Sequence, residues 1–167
     1  MPTEMRQTPR LAALLIAGAL WAAPAGAADT SSTTVTMTVN ANCIVTANDL
    51  AFGAYNPMAP GPTDGATTLQ VRCTNTTAYA VKLNKGAGTG ATVSQRRMSH
   101  APSGTLVYSL YTDSGRGQVW GDDSGGASVS GVGTGLAQTL TVYGRIPAGQ
   151  FSTAGSYTDT VSVTINY

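Results

Sequence analysis

Tyr157-Thr158-Asp159-Thr160-Val161-Ser162-Val163-Thr164-Ile165-Asn166-Tyr167 is the stretch on which the fold turns. Tyr157, Val161, Val163, Ile165 and Tyr167 fall on one side of a period-two pattern, with Asp159 the exception. Thr158, Thr160, Ser162, Thr164 and Asn166 fall on the other. That alternation predicts a half-buried strand over residues 157–167. A second alternating run stands near the opposite end: Val35, Met37, Val39 and Ala41 interleave with Thr34, Thr36, Thr38 and Asn40. Two such runs raise the question of what each pairs with. An unpaired apolar edge is an association hazard, and it is also a surface on which one protein can lend a strand to another.

Residues 1–27 read as a secretory leader. Arg6 and Arg10 make a positive start, Leu11 to Trp21 an apolar stretch of eleven residues, and Ala25-Gly26-Ala27 a small-x-small cleavage site. The mature chain is expected to begin at Ala28 or Asp29 and to be exported. The apolar stretch is shorter than the ~20 residues a membrane span needs, and no other stretch reaches that length.

Roughly 140 of the 167 residues then remain, enough for one domain with a real core. Arg6, Arg10 and Glu4 fall in the leader, so of nine Lys+Arg and eight Asp+Glu, seven of each remain and the mature net charge is zero. That balance carries no basic footprint for nucleic acid. The mature part is rich in Thr, Ser, Gly, Ala and Val and poor in Leu, Glu and Lys, a composition that favours strands and turns over helices. The only two cysteines, Cys43 and Cys73, read as a disulfide in an exported chain. Closing a loop of about 30 residues stabilises by roughly 3–4 kcal/mol on the chain-entropy account.

Strand signals follow at residues 43–46, 50–52, 67–73, 79–83, 93–98, 106–111, 118–120 and 136–146. Asn75-Thr76-Thr77 fits a hairpin turn between two of them. Residues 55–65 hold three prolines and read as loop, as does the glycine-rich stretch 122–135. This spacing predicts an all-β, immunoglobulin-like β-sandwich.

No residue set argues for an enzyme. The only histidine, His100, sits in a polar loop with no Gly-x-Ser-x-Gly element to hold a nucleophile. Asp122-Asp123 precedes Ser124-Gly125-Gly126 as a turn would and lacks a calcium-loop pattern. The glycine runs 86–90 and 131–135 carry no Lys-Ser/Thr and open no helix, so they read as strand connections rather than phosphate cradles. Arg96-Arg97 reads as a solvated turn, and Trp120 as packing between sheets rather than a sugar platform. No cofactor or metal is expected.

From Cys43 to Tyr167 the sequence resembles the spore coat protein U domain family, which includes subunits of archaic chaperone–usher pili. The resemblance rests on Cys43, residues 52–57 (FGAYNP), Cys73, Arg97-Met98, residues 106–111 (LVYSLY), Trp120-Gly121-Asp122, residues 141–150 (TVYGRIPAGQ) and the closing block 155–167. It implies an incomplete immunoglobulin-like sandwich that lacks its last strand and is completed by a donated one. Residues 28–42 would be the N-terminal extension and 43–167 the domain, with Cys43–Cys73 stapling its first two strands. Val35, Met37, Val39 and Ala41 would be the knobs of the donor strand, and residues 157–167 would border the acceptor groove. Val161, Val163, Ile165 and Tyr167 would form the groove edge that pairs with a periplasmic pilus chaperone. An outer-membrane usher and further copies of this or related subunits would be the other partners. The product would be a fibre at the cell surface serving adhesion or biofilm, and with about 140 residues the chain would be a shaft or adaptor subunit, not a two-domain tip adhesin. The alternative is a secreted spore-coat or matrix protein folded as a self-contained monomer, its N-terminal run serving as the first strand of its own domain. A secreted carbohydrate-binding module is a third possibility, resting on Trp120.

Overall fold

Regular structure in the computed structural model, which describes residues 29–167, starts at Cys43. Eight strands follow: β1 Cys43–Ala47, β2 Thr63–Cys73, β3 Ala78–Leu83, β4 Arg96–Ser99, β5 Thr105–Tyr111, β6 Val129–Val132, β7 Gln138–Ile146 and β8 Val163–Asn166. Among the described residues there is no helix. The leader assigned to residues 1–27 lies outside the described residues. Residues 29–42 take up no helix or strand.

The strands form two antiparallel sheets, one in the order β1-β2-β7-β5-β4 and one in the order β6-β3-β8. The all-β, immunoglobulin-like sandwich expected from the sequence is the fold observed. Its core follows from the alternation. Leu69 and Val71 on β2, Tyr79, Val81 and Leu83 on β3, Tyr108 and Leu110 on β5, and Val142 and Ile146 on β7 are all buried in one cluster with Trp120. Trp120 is 1% exposed, and its indole N–H donates to the Val81 carbonyl at 3.0 Å, so the ring packs between the sheets. Cys43 and Cys73 are opposite each other in the β1–β2 register and are joined by a disulfide.

Several expectations are corrected. Asn75-Thr76-Thr77 does not close a hairpin: β2 pairs with β1 and β7, β3 with β6 and β8. Both strands turn their apolar faces inward, so they oppose each other across the core, and the turn carries the chain between sheets. Thr76 takes a φ of 63° there, and its N–H donates to Gly133 at 2.8 Å. The stretch 122–135 is not all loop, because β6 lies within it. Gly131 serves packing: a Cβ there would meet the Tyr79 ring at 2.5 Å. Residues 50–52 join no ladder, and the final strand is confined to Val163–Asn166. Arg96 is not solvated at all; it is 0% exposed.

Candidate functional site

Each sheet ends in a strand with one partner only. β1 pairs with β2 and is otherwise open, and β8 pairs with β3 and is otherwise open. Beyond these edges two extended stretches face one another. Residues 49–55 follow β1, and among the described residues their backbone N–H and C=O groups make no hydrogen bond. Residues 157–162 precede β8 and are tied down at few points. Thr158 exchanges two backbone bonds with Ser99 at 2.9 and 3.1 Å. Ser162 bonds to Asn84, its C=O accepting from the backbone N–H at 3.1 Å and its N–H donating to the side-chain oxygen at 2.9 Å. Backbone groups that the domain itself leaves without partners are the ones an added strand would pair with.

Between the walls lies a cavity of about 320 Å³. Leu69, Leu83, Leu110 and Val142 belong to its lining, with Tyr108 and Met98. Ala47, Leu50 and Phe52 line one side, and Tyr157, Asp159, Val161 and Val163 the other. The lining is thus the unfinished side of the core. A second hollow of about 630 Å³ shares Leu50, Phe52, Met98 and Tyr157 and runs on between residues 53–57 and 150–157.

The wall carrying residues 157–162 is held by polar contacts that account for the break in the sequence alternation. Asp159 points inward where an apolar residue was expected, and its carboxylate is fully engaged. It accepts from the Tyr108 hydroxyl at 2.7 Å and from the backbone N–H groups of Ala87 and Thr160, each at 2.8 Å. Gly86, at φ +83°, brings the Ala87 loop close; a Cβ there would collide with the same carboxylate. Burial, reinforced by the hydrogen bond to Asp159, pushes the Tyr108 hydroxyl well above the usual phenol range, so it remains a donor. Tyr157 is anchored in turn: its hydroxyl pairs with Ser152 Oγ at 2.7 Å and donates to the Thr153 carbonyl at 2.6 Å.

Beneath the groove, Arg96 joins the edge strand of the larger sheet to the smaller one. Its Nε donates to Asn84 O at 2.8 Å and its Nη1 to Val93 O at 2.8 Å. Its Nη2 donates to Leu83 O at 3.1 Å and Trp120 O at 2.8 Å. Burial pulls this guanidinium below its ordinary value, yet the group stays charged. Four main-chain carbonyls are what make a buried cation tolerable here.

The residues singled out from the sequence distribute unevenly. Val161 and Val163 line the cavity, Ile165 packs half-buried against the core, and Tyr167 is 60% exposed. Val35, Met37 and Val39 are 89%, 86% and 70% exposed, and Ala41 is exposed as well. The wall opposite β8, with Leu50 and Phe52, is missing from the sequence-derived set of site residues. Its apolar alternation was legible but reads as a paired strand. His100 sits against Tyr157, with Nδ1 3.0 Å from the Ser156 carbonyl. Asp122 bonds to Ser124 and Asp123 to Lys82 and Ser128, which makes them turn residues. Among the described residues, no group of three or more His, Cys, Asp or Glu is placed to hold a metal ion.

Comparison with known proteins bears on what such a groove is for. The Spore Coat Protein U domain family matches residues 29–164. Protein U of Myxococcus xanthus is 37% identical over 128 residues, 71% of each chain. Among solved structures, the fold is similar to a chain in the crystal structure of the CsuC–CsuE chaperone–tip adhesion subunit pre-assembly complex, from archaic chaperone–usher Csu pili of Acinetobacter baumannii. The TM-score is 0.56 at 25% identity, over 78% of this chain and 40% of that one. The chain therefore spans about two fifths of that neighbour's length.

Proposed function

This chain belongs to the spore coat protein U domain family, and we propose that it is a structural subunit of a surface fibre of the archaic chaperone–usher type, assembled by donor-strand exchange. The observation that carries the proposal is the groove: a cavity lined by core residues, with residues 49–55, whose backbone makes no hydrogen bond, on one side and the sparsely bonded residues 157–162 on the other. A closed void of about 320 Å³ would cost about 8 kcal/mol at ~24 cal/mol per Å³, more than half the stability of an ordinary domain. An open groove admits water instead, and an inserted strand would gain by displacing that water from the apolar lining. Such a strand gains main-chain bonds along both walls and places alternate side chains in the hollow.

The occupant we assign is the N-terminal run of the next subunit, with Val35, Met37, Val39 and Ala41 as knobs. Burying three Val or Met side chains with Ala41 gives roughly 5–9 kcal/mol before ordering costs. A periplasmic chaperone holds the groove first, and at an outer-membrane usher the donor replaces its strand. Because the contact is head-to-tail it propagates as a filament. The fold's similarity to a chain of a chaperone–subunit complex supports the chaperone step. Residues 1–27 direct export, and the assembled fibre serves adhesion or biofilm at the cell surface.

One observation favours a second possibility, a self-contained coat or matrix protein: Protein U is matched over 71% of its length, the Csu-complex chain over only 40%. An unboiled denaturing gel of the exported protein separates the two. A ladder that collapses on boiling and is lost when residues 29–41 are deleted supports the fibre. A single monomer band in every lane, from protein folded without a chaperone, hands the function to the coat.

A further inference from the structure

A subunit that carries both a donor strand and an acceptor groove must not fill its own groove. On a short flexible tether a segment reaches an effective concentration on the order of millimolar. At micromolar protein, closure within one chain would then beat exchange between chains by about 10³-fold, unless geometry forbids it. The residues that follow the donor run bear on that geometry.

Asn42, the residue just after the donor run, is fastened to Thr74 by three hydrogen bonds. Its N–H donates to Thr74 Oγ1 at 2.7 Å, and its carbonyl accepts from the Thr74 N–H at 2.9 Å and from the Thr74 hydroxyl at 3.0 Å. These bonds extend the β1–β2 ladder one residue beyond Cys43 and Cys73, which are themselves linked covalently. Asn42 and Cys43 are thus both committed to extended backbone, and neither can form the turn of a fold-back. A tight reversal needs at least two residues, usually with positive φ and often glycine. Residues 41–44 are Ala-Asn-Cys-Ile, with no glycine. A crossover that brings the run in parallel takes a dozen or more residues, and here none separates Ala41 from Asn42. Distance adds to the restriction. The groove lining begins at Ala47, four residues along β1 and so about 13 Å from Cys43 at ~3.3 Å per residue. A folded-back run would spend residues 38–41 alongside β1, keeping Val39 and Ala41 out of the groove.

We propose that the Asn42–Thr74 clamp, backed by Cys43–Cys73, is a positioning device that keeps residues 33–41 from seating all their knobs in the groove of their own domain and so directs strand donation to another copy. This rests on the fibre-subunit function proposed above. The test compares the full mature chain with a variant carrying a six-residue Gly-Ser turn between Ala41 and Asn42. Both are run on unboiled gels and titrated with a fluorescent synthetic peptide of residues 33–41. The expected result is a ladder from the parent chain, and from the insertion variant a monomer that refuses the peptide, with polymer reduced by on the order of 10³-fold at micromolar protein. Thr74→Val removes two of the three bonds and moves the balance the same way by a smaller factor, which keeps the test informative should the insertion fail to fold. An insertion variant that polymerises like its parent overturns the clamp. So does a parent chain that is monomeric and refuses the peptide while the form lacking residues 29–41 accepts it; that result leaves the groove as an acceptor. If no form binds the peptide or polymerises, the fibre function has failed and the clamp falls with it.

Discussion

Arg96 and Val35 invert the usual rule of inside and outside: the arginine is 0% exposed and the valine 89%. Arg96 meets four main-chain carbonyls within 3.1 Å, so four of its five N–H donors are answered by the protein itself. Val35, with Met37 and Val39, belongs to a stretch that takes no strand or helix. The difference teaches that burial here follows the supply of partners, not polarity alone. A charge can be interior where the backbone is arranged around it, and an apolar run is exposed where the domain offers it no partner surface.

That contrast can be broken experimentally. The largest loss is expected from Arg96→Met, which strips the donor from the carbonyls of Leu83, Asn84, Val93 and Trp120. About 3–5 kcal/mol of folding stability, read from the urea midpoint, is the expected cost. A loss under about 1 kcal/mol would mean that water replaces the guanidinium and that the contrast is shallow. Cys43→Ser comes next, at roughly 3–4 kcal/mol for a sequence separation of 30 residues, with a matching fall in periplasmic yield; an unchanged melting temperature would deny the bond a structural role.

A smaller effect belongs to Asp64, which Arg145 grips at 2.7 and 2.9 Å while Arg116 stands 3.3 Å away. The hydrogen bond from Arg145 holds its carboxyl below the ordinary value of 3.8. The folded-state pKa is therefore depressed, so the stabilisation is present above pH 3.8 and is lost as pH falls through the lower folded value. Solvent screens this pair, and Asp64→Asn is expected to cost under about 1 kcal/mol at pH 7 and nothing below the folded pKa. A parent and variant whose stabilities converge on raising the pH would contradict the sign. Least of all should stability respond to Val39→Asp, within about 0.5 kcal/mol by thermal melting, because the side chain is exposed. Its assembly is nevertheless expected to fail, since a carboxylate would have to enter an apolar groove. Normal fibre yield from Val39→Asp would remove the donor role altogether.

Much of the fold was legible because alternation reports which side of a strand is covered. Leu69, Val71, Val81, Leu83, Tyr108 and Leu110 all turned inward as their spacing required, and Trp120 went between the sheets. What alternation cannot report is which strand lies beside which. Residues 67–73 and 79–83 read as a hairpin, yet they belong to opposite sheets, since two inward faces are satisfied equally well side by side or face to face. Nor could Arg96 be told from Arg97, because the partners that bury it are main-chain carbonyls, which leave no mark on the sequence. Leu50 and Phe52 carry a strand's pattern without a strand's ladder. The pattern records a surface made to be covered, and it is silent on whether the cover comes from the same chain. Asp159 was visible only as a flaw in a pattern; its reason, the Tyr108 hydroxyl 2.7 Å away, lies 51 residues off.

The disulfide at the start of β1 has a mechanical meaning in a fibre. If residues 33–41 act as the proposed donor run, tension arriving through them would enter the domain at Asn42 and reach Cys43 first, where the covalent link would hand it directly to Cys73. β1 is thereby bypassed, and the load passes along β2, whose nine registered pairs with β7 run from Thr63 to Val71. Those bonds resist in parallel, as a seam pulled lengthwise, where an unlinked β1 would open one pair at a time like a zipper. In a fibre of the proposed kind, that arrangement would spare β1 from peeling and set the domain's resistance by the longer β2–β7 seam.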